Sequence, residues 1–357
     1  MRKYYLDNLR WGVGILVVLY HVLYMYNSVG VLGGLGNITG LKLQYWDLFL
    51  YIVYPWFMPL LFIVSGVSSR YYLERHTDRE FIKSRTTRLL VPSTIGLFAF
   101  QFIQGYISMA LGGAFEELSP VPGPVKFLIM AVSGIGVLWY VQLLWVFSLL
   151  LVLVKKLEKD RLRELGGRVN MAFLLLMTIA VWASAQVLNT PVIVVYRFGL
   201  YGLMFFMGYF VFSCEGLVAL LKSRALPLLA AAAALGTAFC VRYFGQNYAD
   251  APVNRTPLFT AYCWIGCLGI FGFAARYLDF RNGFTDWMKE RSFGLYVFHY
   301  LGISAAALFI GKPGILPAPI VYLLSLIVGF AAGYLLNAVI SRLPFFRWAV
   351  LGIRKRK

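Results

Sequence analysis

Charged residues are scarce in this sequence. Asp, Glu, Lys and Arg make up 13% of its 357 residues, about half the share found in an ordinary soluble domain. Hydrophobic residues make up 60%, and the mean hydropathy is +0.73. This composition excludes a typical soluble globular protein and predicts an all-α, polytopic membrane protein.

Metal-ligand clusters and nucleotide-binding motifs are missing as well. Four cysteines are present, and Cys263 and Cys267 lie one helical turn apart without the further ligands that a zinc site needs. No P-loop, strand-borne GxGxxG, HExxH, GxSxG or HxxxxD pattern occurs. We therefore expect no metal site, no permanently bound cofactor and no nucleic-acid partner.

Long apolar runs are what the sequence has in abundance. They predict about ten transmembrane helices joined by short loops, in a single integral-membrane domain over 1–357 with no appended soluble domain. No acidic residue falls within these segments, so a carboxylate that orients a residue inside the membrane must come from a loop or be absent. The predicted segments are 10–27, 49–69, 90–112, 136–154, 171–189, 197–213, 226–243, 257–275, 293–310 and 318–340.

The basic residues lie almost entirely on one side of this predicted topology. Of 33 Lys and Arg residues, 27 fall in the segments on the side of both termini. Cytoplasmic loops collect basic residues, so both termini are predicted to be cytoplasmic and the protein to be integral to the cell membrane. The formal net charge of +18 is then explained by the orientation of the chain in the membrane and by contact of its basic residues with anionic lipid. The six residues on the opposite side are Lys42, Lys126, Arg197, Arg242, Arg255 and Lys312.

The first apolar segment carries two ionisable side chains in helical register. Arg10 and His21 are eleven residues apart, which is three turns plus about 20° and a rise of about 16 Å, and Asp7 lies one turn before Arg10. An ionisable residue inside a membrane is a functional candidate, and a free imidazole titrates near neutral pH, so His21 suits a general base. Tyr24 could hold its ring or could equally be an aromatic packing residue. Arg10 could equally be an interfacial arginine that reaches lipid phosphate.

A second group of basic residues lies in the segment Arg79–Pro92, here called the basic segment. Lys83, Arg85 and Arg88 are predicted to stand at the cytoplasmic end of the third span. In a continuous helix, Arg85 and Arg88 at i and i+3 could face one anionic group together. The segment could clamp a phosphorylated cytoplasmic cofactor, such as the 3′-phosphate or pyrophosphate of coenzyme A, or it could be a plain topological charge cluster.

Three further candidate residues, polar or aromatic, lie in the later spans. Trp139 and Gln142 share one helix face with Trp145 at i, i+3 and i+6, and a buried glutamine needs a partner. His299 lies about seven residues into the ninth span, where it could line a cavity or be a satisfied core histidine.

Several of these stretches resemble one known family. YLDNLRWGVGILVVLYHV is similar to the opening of the membrane acyltransferase-3 family, whose hallmark is an arginine, ten residues and a histidine in the first span; Arg10 and His21 fit it. FIKSRTTRLLVP resembles the family's basic stretch, although its usual arginine pair is four apart and the nearest residues here are Lys83, Arg85 and Arg88. MPLLFIVSG, GVLWYVQLLW and SFGLYVFHY are also similar, and the glucan-modifying branch resembles the chain most.

The resemblance implies an acyl-CoA-dependent O-acyltransferase. Such an enzyme would move an acetyl or other short acyl group, such as succinyl, from cytoplasmic acyl-CoA to a hydroxyl of a cell-envelope glycan. The basic segment would bind CoA phosphates, Arg10 would guide the thioester, and His21 would act as general base or accept the acyl group transiently. Two other classes stay open: a transporter or flippase of a glycan or lipid-linked intermediate, and a non-catalytic scaffold.

Overall fold

The computed structural model describes residues 3–158, 161–190 and 195–354. Helix accounts for 78% of the chain, and the described residues form no strand beyond one isolated bridge between Asn189 and Arg197. The predicted all-α fold is therefore confirmed.

Sixteen α-helices occur in the described part of the chain. The first eight are α1 Tyr4–Met25, α2 Leu48–Leu73, α3 Asp78–Arg85, α4 Phe102–Leu111, α5 Ala114–Glu117, α6 Gly123–Ser133, α7 Trp139–Glu158 and α8 Arg161–Gly167. The others are α9 Met171–Gln186, α10 Phe198–Met207, α11 Glu215–Ser223, α12 Ala225–Tyr243, α13 Pro257–Tyr277, α14 Gly283–Ala306, α15 Ala318–Ile340 and α16 Pro344–Leu351. Four π-helical turns extend or join them: Thr86–Leu90, Leu97–Gln101, Gly208–Phe212 and Ala307–Gly311.

Seven helices in the described residues are long and apolar enough to cross a membrane. An eighth is possible if Phe198–Phe212 and Glu215–Ser223, which meet at a bend of 100°, form one span. The predicted segments 90–112 and 171–189 correspond to the shorter apolar helices Leu97–Leu111 and Met171–Gln186. The count of ten and the cytoplasmic side of the termini stay predictions, as does the single domain over 1–357.

The helix predicted over 90–112 begins later than expected, since the apolar helix in this segment is Leu97–Leu111. The chain instead makes wide turns, in which the amide of Val91 donates to Thr86 and that of Gly96 donates to Val91, before α4 begins at Phe102. Pro92 explains the break, because proline has no amide hydrogen and its ring clashes with the preceding helical turn. Turns of this wide kind recur at functional sites.

The chain forms two compact units, each built from separated segments. The first comprises Met1–Val13, Leu48–Ile82 and Val146–Lys289. Within it, α2 packs against α10 and α13. Gly66 and Gly208 allow this approach, because a β-carbon on either would overlap a backbone carbonyl of the facing helix, at Phe205 and Ile63 respectively.

The second unit comprises Gly14–Asp47, Lys83–Trp145 and Glu290–Lys357. In it, α4 packs against α6, and α16 packs against the π turn Leu97–Gln101. Gly96 lies so close to α16 that a β-carbon there would stand 2.7 Å from the carbonyl oxygen of Ala349. The C-terminal helix is thus held against the backbone that follows the basic segment.

Several helices present large apolar side chains on their outer faces. On α15, Leu323, Ile327 and Leu335 are each more than half exposed. A soluble protein avoids such exposed apolar faces, whereas the hydrocarbon of a membrane solvates them. In hydrocarbon, the backbone groups of a helix are hydrogen-bonded within the helix itself. Together with the long apolar helices, this face indicates a multi-pass membrane protein.

Candidate active site

The His21 side chain lies on α1 among aromatic rings. Its ring centroid is 5.3 Å from that of Tyr20, 5.7 Å from Tyr24 and 5.0 Å from Tyr300. Tyr24 comes from the next turn of the same helix, as the sequence predicts, whereas Tyr300 comes from α14. His21 as a whole is half-buried.

His299 contacts His21 directly. The two residues are 278 positions apart, yet Nε2 of His299 lies 3.1 Å from Nδ1 of His21. His299 is fully buried on α14. We call these two side chains the imidazole pair.

Backbone carbonyls fix which ring nitrogens carry hydrogen in the neutral pair. Nδ1 of His299 lies 3.0 Å from the carbonyl oxygen of Leu295 and 2.9 Å from that of Tyr296. A carbonyl oxygen only accepts, so Nδ1 of His299 is the donor and its Nε2 holds the lone pair.

The same reasoning then fixes His21. Its Nδ1 faces two acceptors, the lone pair of His299 and the carbonyl oxygen of Val17 at 2.9 Å, and it must therefore donate. Nε2 of His21 consequently holds a lone pair. The pair thus has one basic nitrogen, Nε2 of His21, that faces neither these carbonyl oxygens nor the other imidazole.

Two tyrosine hydroxyls tie the loop between α1 and α2, residues 26–47, to the site. Tyr24 donates to the carbonyl oxygen of Leu32, and Tyr300 donates to that of Gly33 at 3.0 Å. Both rings also contact His21. The loop therefore lies immediately beside the imidazole pair.

A buried carboxylate holds the base of this loop. Asp47 is fully buried and accepts from the backbone amide of Ser28 at 2.9 Å and from its hydroxyl at 2.8 Å. Gln44 donates to the same carboxylate at 3.2 Å and to the carbonyl oxygen of Tyr26 at 2.9 Å. These bonds connect both ends of the loop, and they satisfy a charge that would otherwise be costly to bury.

Trp139 and Gln142 lie on α7. The Trp139 ring packs on Tyr140, whose ring is 5.9 Å from Tyr296, the residue one turn before His299. Gln142 is half-buried, and its Nε2 donates to the carbonyl oxygen of Ser93 at 3.0 Å.

Arg10 and Asp7 form an ion pair on α1. Nη1 of Arg10 lies 3.3 Å from Oδ1 of Asp7, while its Nη2 donates to the hydroxyl of Ser68 on α2. Lys289 also approaches Asp7, at 4.0 Å. The arginine side chain nevertheless remains 37% exposed, so it can still bind a ligand.

The basic segment differs from its predicted geometry. Lys83 and Arg85 lie at the end of α3, whereas Arg88 lies in the π turn that follows, so the two arginines are not related by α-helical geometry. That both face one anionic group stays a prediction. Lys83 and Arg88 are exposed. Gly352, after α16, packs here with φ 65°, and a β-carbon on it would stand 2.7 Å from Cα of Arg88.

Sequence reasoning missed three features of the site. The contact of His299 with His21, the hydrogen bond from Arg10 to Ser68 and the approach of Tyr300 all join residues distant in the chain. The stretch SFGLYVFHY offered one signal, since it places a tyrosine directly after a histidine inside an apolar run. Among the described residues, no group of three or more His, Cys, Asp or Glu could hold a metal ion.

The fold and the imidazole pair define a multi-pass membrane protein with an ionisable site among its helices. The chain belongs to the acyltransferase-3 family, because the family's sequence profile, described as an acyltransferase domain, matches residues 3–338. Membership supports membrane O-acyltransferase activity in general. No curated protein and no solved structure matches the chain.

Proposed function

We propose that this protein transfers an acetyl or other short acyl group from cytoplasmic acyl-CoA to a hydroxyl of an extracytoplasmic cell-envelope glycan, as in the glucan-modifying branch of the family. His21 is the general base. The observation that carries the proposal is the lone pair on Nε2 of His21, which follows from the carbonyl contacts of the imidazole pair.

The transfer step needs one proton acceptor. The hydroxyl oxygen of the glycan attacks the thioester carbonyl carbon while Nε2 of His21 takes the hydroxyl proton. The carbon–sulfur bond then breaks, and the CoA thiolate leaves and recovers that proton from His21. In the relay form of the reaction, Nε2 instead attacks the thioester carbonyl carbon, the carbon–sulfur bond breaks, and CoA leaves as the thiolate. The glycan hydroxyl oxygen then attacks the acyl carbon, the bond from that carbon to Nε2 breaks, and the hydroxyl proton neutralises the CoA thiolate.

Basic residues supply the binding of the donor in this proposal. Arg10 is partly exposed, and Lys83 and Arg88 are exposed. A guanidinium can bind a phosphate through two parallel N–H donors, which favours Arg88 for the 3′-phosphate or pyrophosphate of CoA. Asp7 orients Arg10 through their ion pair.

Purified protein in detergent, labelled acetyl-CoA and glycan acceptors provide the test. We expect transfer by the wild type and a loss of about a hundredfold or more in His21→Ala, since general bases contribute 10²–10⁴-fold. His76→Ala is the matched control, because His76 is an exposed histidine on the segment between α2 and α3. Equal rates in wild type and His21→Ala would overturn the assignment of the base.

The same preparation distinguishes direct transfer from the relay, and an acyltransferase from a transporter or flippase. Label that stays on the protein when acceptor is omitted, and that disappears in His21→Ala, would support the relay over direct transfer. Movement of a glycan across proteoliposomes without any binding of acyl-CoA would instead favour a transporter or flippase.

A further inference from the structure

His299 has no role in the transfer step as proposed above, yet its position is sharply defined. It is fully buried, both of its ring nitrogens lie within hydrogen-bond distance of named atoms, and one of those atoms belongs to His21. A histidine that only packed in the core, with its ring hydrogen bonded to backbone carbonyls, would need no contact with the base. The Nε2 lone pair of His299 points at the one hydrogen that His21 carries when neutral.

We propose that His299 is the positioning residue of His21, in the place where a carboxylate stands in many histidine-based enzymes. This inference rests on the proposed function. The hydrogen bond from Nδ1 of His21 to Nε2 of His299 fixes the ring so that its other nitrogen faces the acceptor hydroxyl, and it strengthens when His21 becomes cationic.

A neutral partner suits this environment. An ionised carboxylate buried among apolar helices costs several kcal/mol unless it is paired and fully hydrogen-bonded. A neutral imidazole accepts the same hydrogen bond without that penalty. Its own orientation is set by the carbonyl oxygens of Leu295 and Tyr296.

The proton can also be shared across the pair. As Nε2 of His21 takes the hydroxyl proton, the hydrogen on Nδ1 can move to Nε2 of His299, and the positive charge then rests on a ring whose Nδ1–H donates to two carbonyls. Departure of the CoA thiolate reverses both movements, so no proton is gained or lost. Within the described residues, the other ionisable groups whose rings contact the pair are the phenols of Tyr20, Tyr24, Tyr296 and Tyr300.

Three substitutions of His299 test the inference through kinetics. His299→Leu removes the acceptor, and we expect kcat to fall by about a hundredfold with little change in KM for acyl-CoA. His299→Gln can place a carbonyl oxygen near the position of Nε2, and we expect its kcat to be about tenfold higher than that of His299→Leu. His299→Glu adds a charge that stabilises cationic His21, so the acid limb of the pH–rate profile should move to higher pH.

A second measurement does not depend on activity. The chain contains only three histidines, so ¹⁵N-labelled imidazoles can be assigned by comparison with His76→Gln. At neutral pH we expect His21 and His299 both to carry hydrogen on Nδ1. An Nε2–H form of neutral His21 would overturn the inference, because two lone pairs would then face each other.

The kinetic outcomes separate the two proposals. A His299→Leu enzyme with wild-type kcat, alongside an inactive His21→Ala, would overturn the positioning role and leave the proposed function standing. If His299→Gln were as slow as His299→Leu, with equally unchanged pH profiles in all three variants, His299 would be a packing residue. An inactive wild type, or an active His21→Ala, would instead defeat the proposed function.

Discussion

Gly33 lies so close to Tyr24 that a β-carbon on the glycine would overlap the hydroxyl oxygen of the tyrosine. The glycine also has φ +103°, a conformation that other residues rarely adopt. This contact, with the bond from Tyr300 to the Gly33 carbonyl, brings the α1–α2 loop to the rings that flank His21.

Gly33→Ala should therefore displace the loop and slow acyl transfer by about tenfold. Gly30→Ala is the matched control, because Gly30 also has positive φ, +76°, but nothing within 4 Å of its β-carbon position. Both variants carry backbone strain of about 1–3 kcal/mol, so the difference between their rates measures the crowding against Tyr24. Equal rates for the two variants would show that the contact has no part in catalysis.

Asp47→Ala should destabilise the fold by about 2 kcal/mol or more. It leaves the amide and hydroxyl of Ser28 and the side-chain amide of Gln44 without their buried acceptor. Thermal unfolding in detergent is the measurement. Glu117→Ala, at an exposed carboxylate, should change stability by less than about 0.5 kcal/mol; similar unfolding temperatures for both variants would contradict the structural role of Asp47.

Arg88→Ala should raise KM for acyl-CoA by about tenfold, which corresponds to the loss of about 1.5 kcal/mol from a charge-assisted hydrogen bond. The value of kcat should not change, and added salt should reduce the difference from wild type. Arg75→Ala removes another exposed arginine, between α2 and α3. If both variants had the same KM, the basic segment would be a diffuse topological charge.

The start of α3 should lose protection in acid. The backbone amide of Thr77, and then its hydroxyl, donate to Glu80 and lower the pKa of that carboxyl. A lowered pKa means that the stabilisation is complete above the ordinary pKa of glutamate and is lost as pH falls through the lower value. Hydrogen exchange of the α3 amides, expressed as protection factors, should show this loss in the wild type and not in Glu80→Gln, whose amide oxygen can still accept the bond but does not titrate.

Apolar runs predicted the long helices well because length and hydropathy are local properties. Segments 257–275 and 318–340 correspond to α13 and α15 within two residues at either end. The start of the segment 90–112 was predicted too early, because apolar residues continue on both sides of Pro92 while proline removes a backbone donor.

The candidate site was predictable only in part. The register of Arg10 and His21 follows from helix geometry alone, and the ion pair of Arg10 with Asp7 follows from their spacing. The partner of His21 could not be predicted in this way, because its identity depends on how α14 packs against α1 within the second unit. The absence of acidic residues from the predicted spans did indicate that the partner need not be a carboxylate.

Helix α1 runs without a break from Tyr4 to Met25, so the backbone holds Arg10 and His21 at a fixed axial separation of about 16 Å. No change of side-chain rotamer closes that gap, and the two residues cannot serve the same bond.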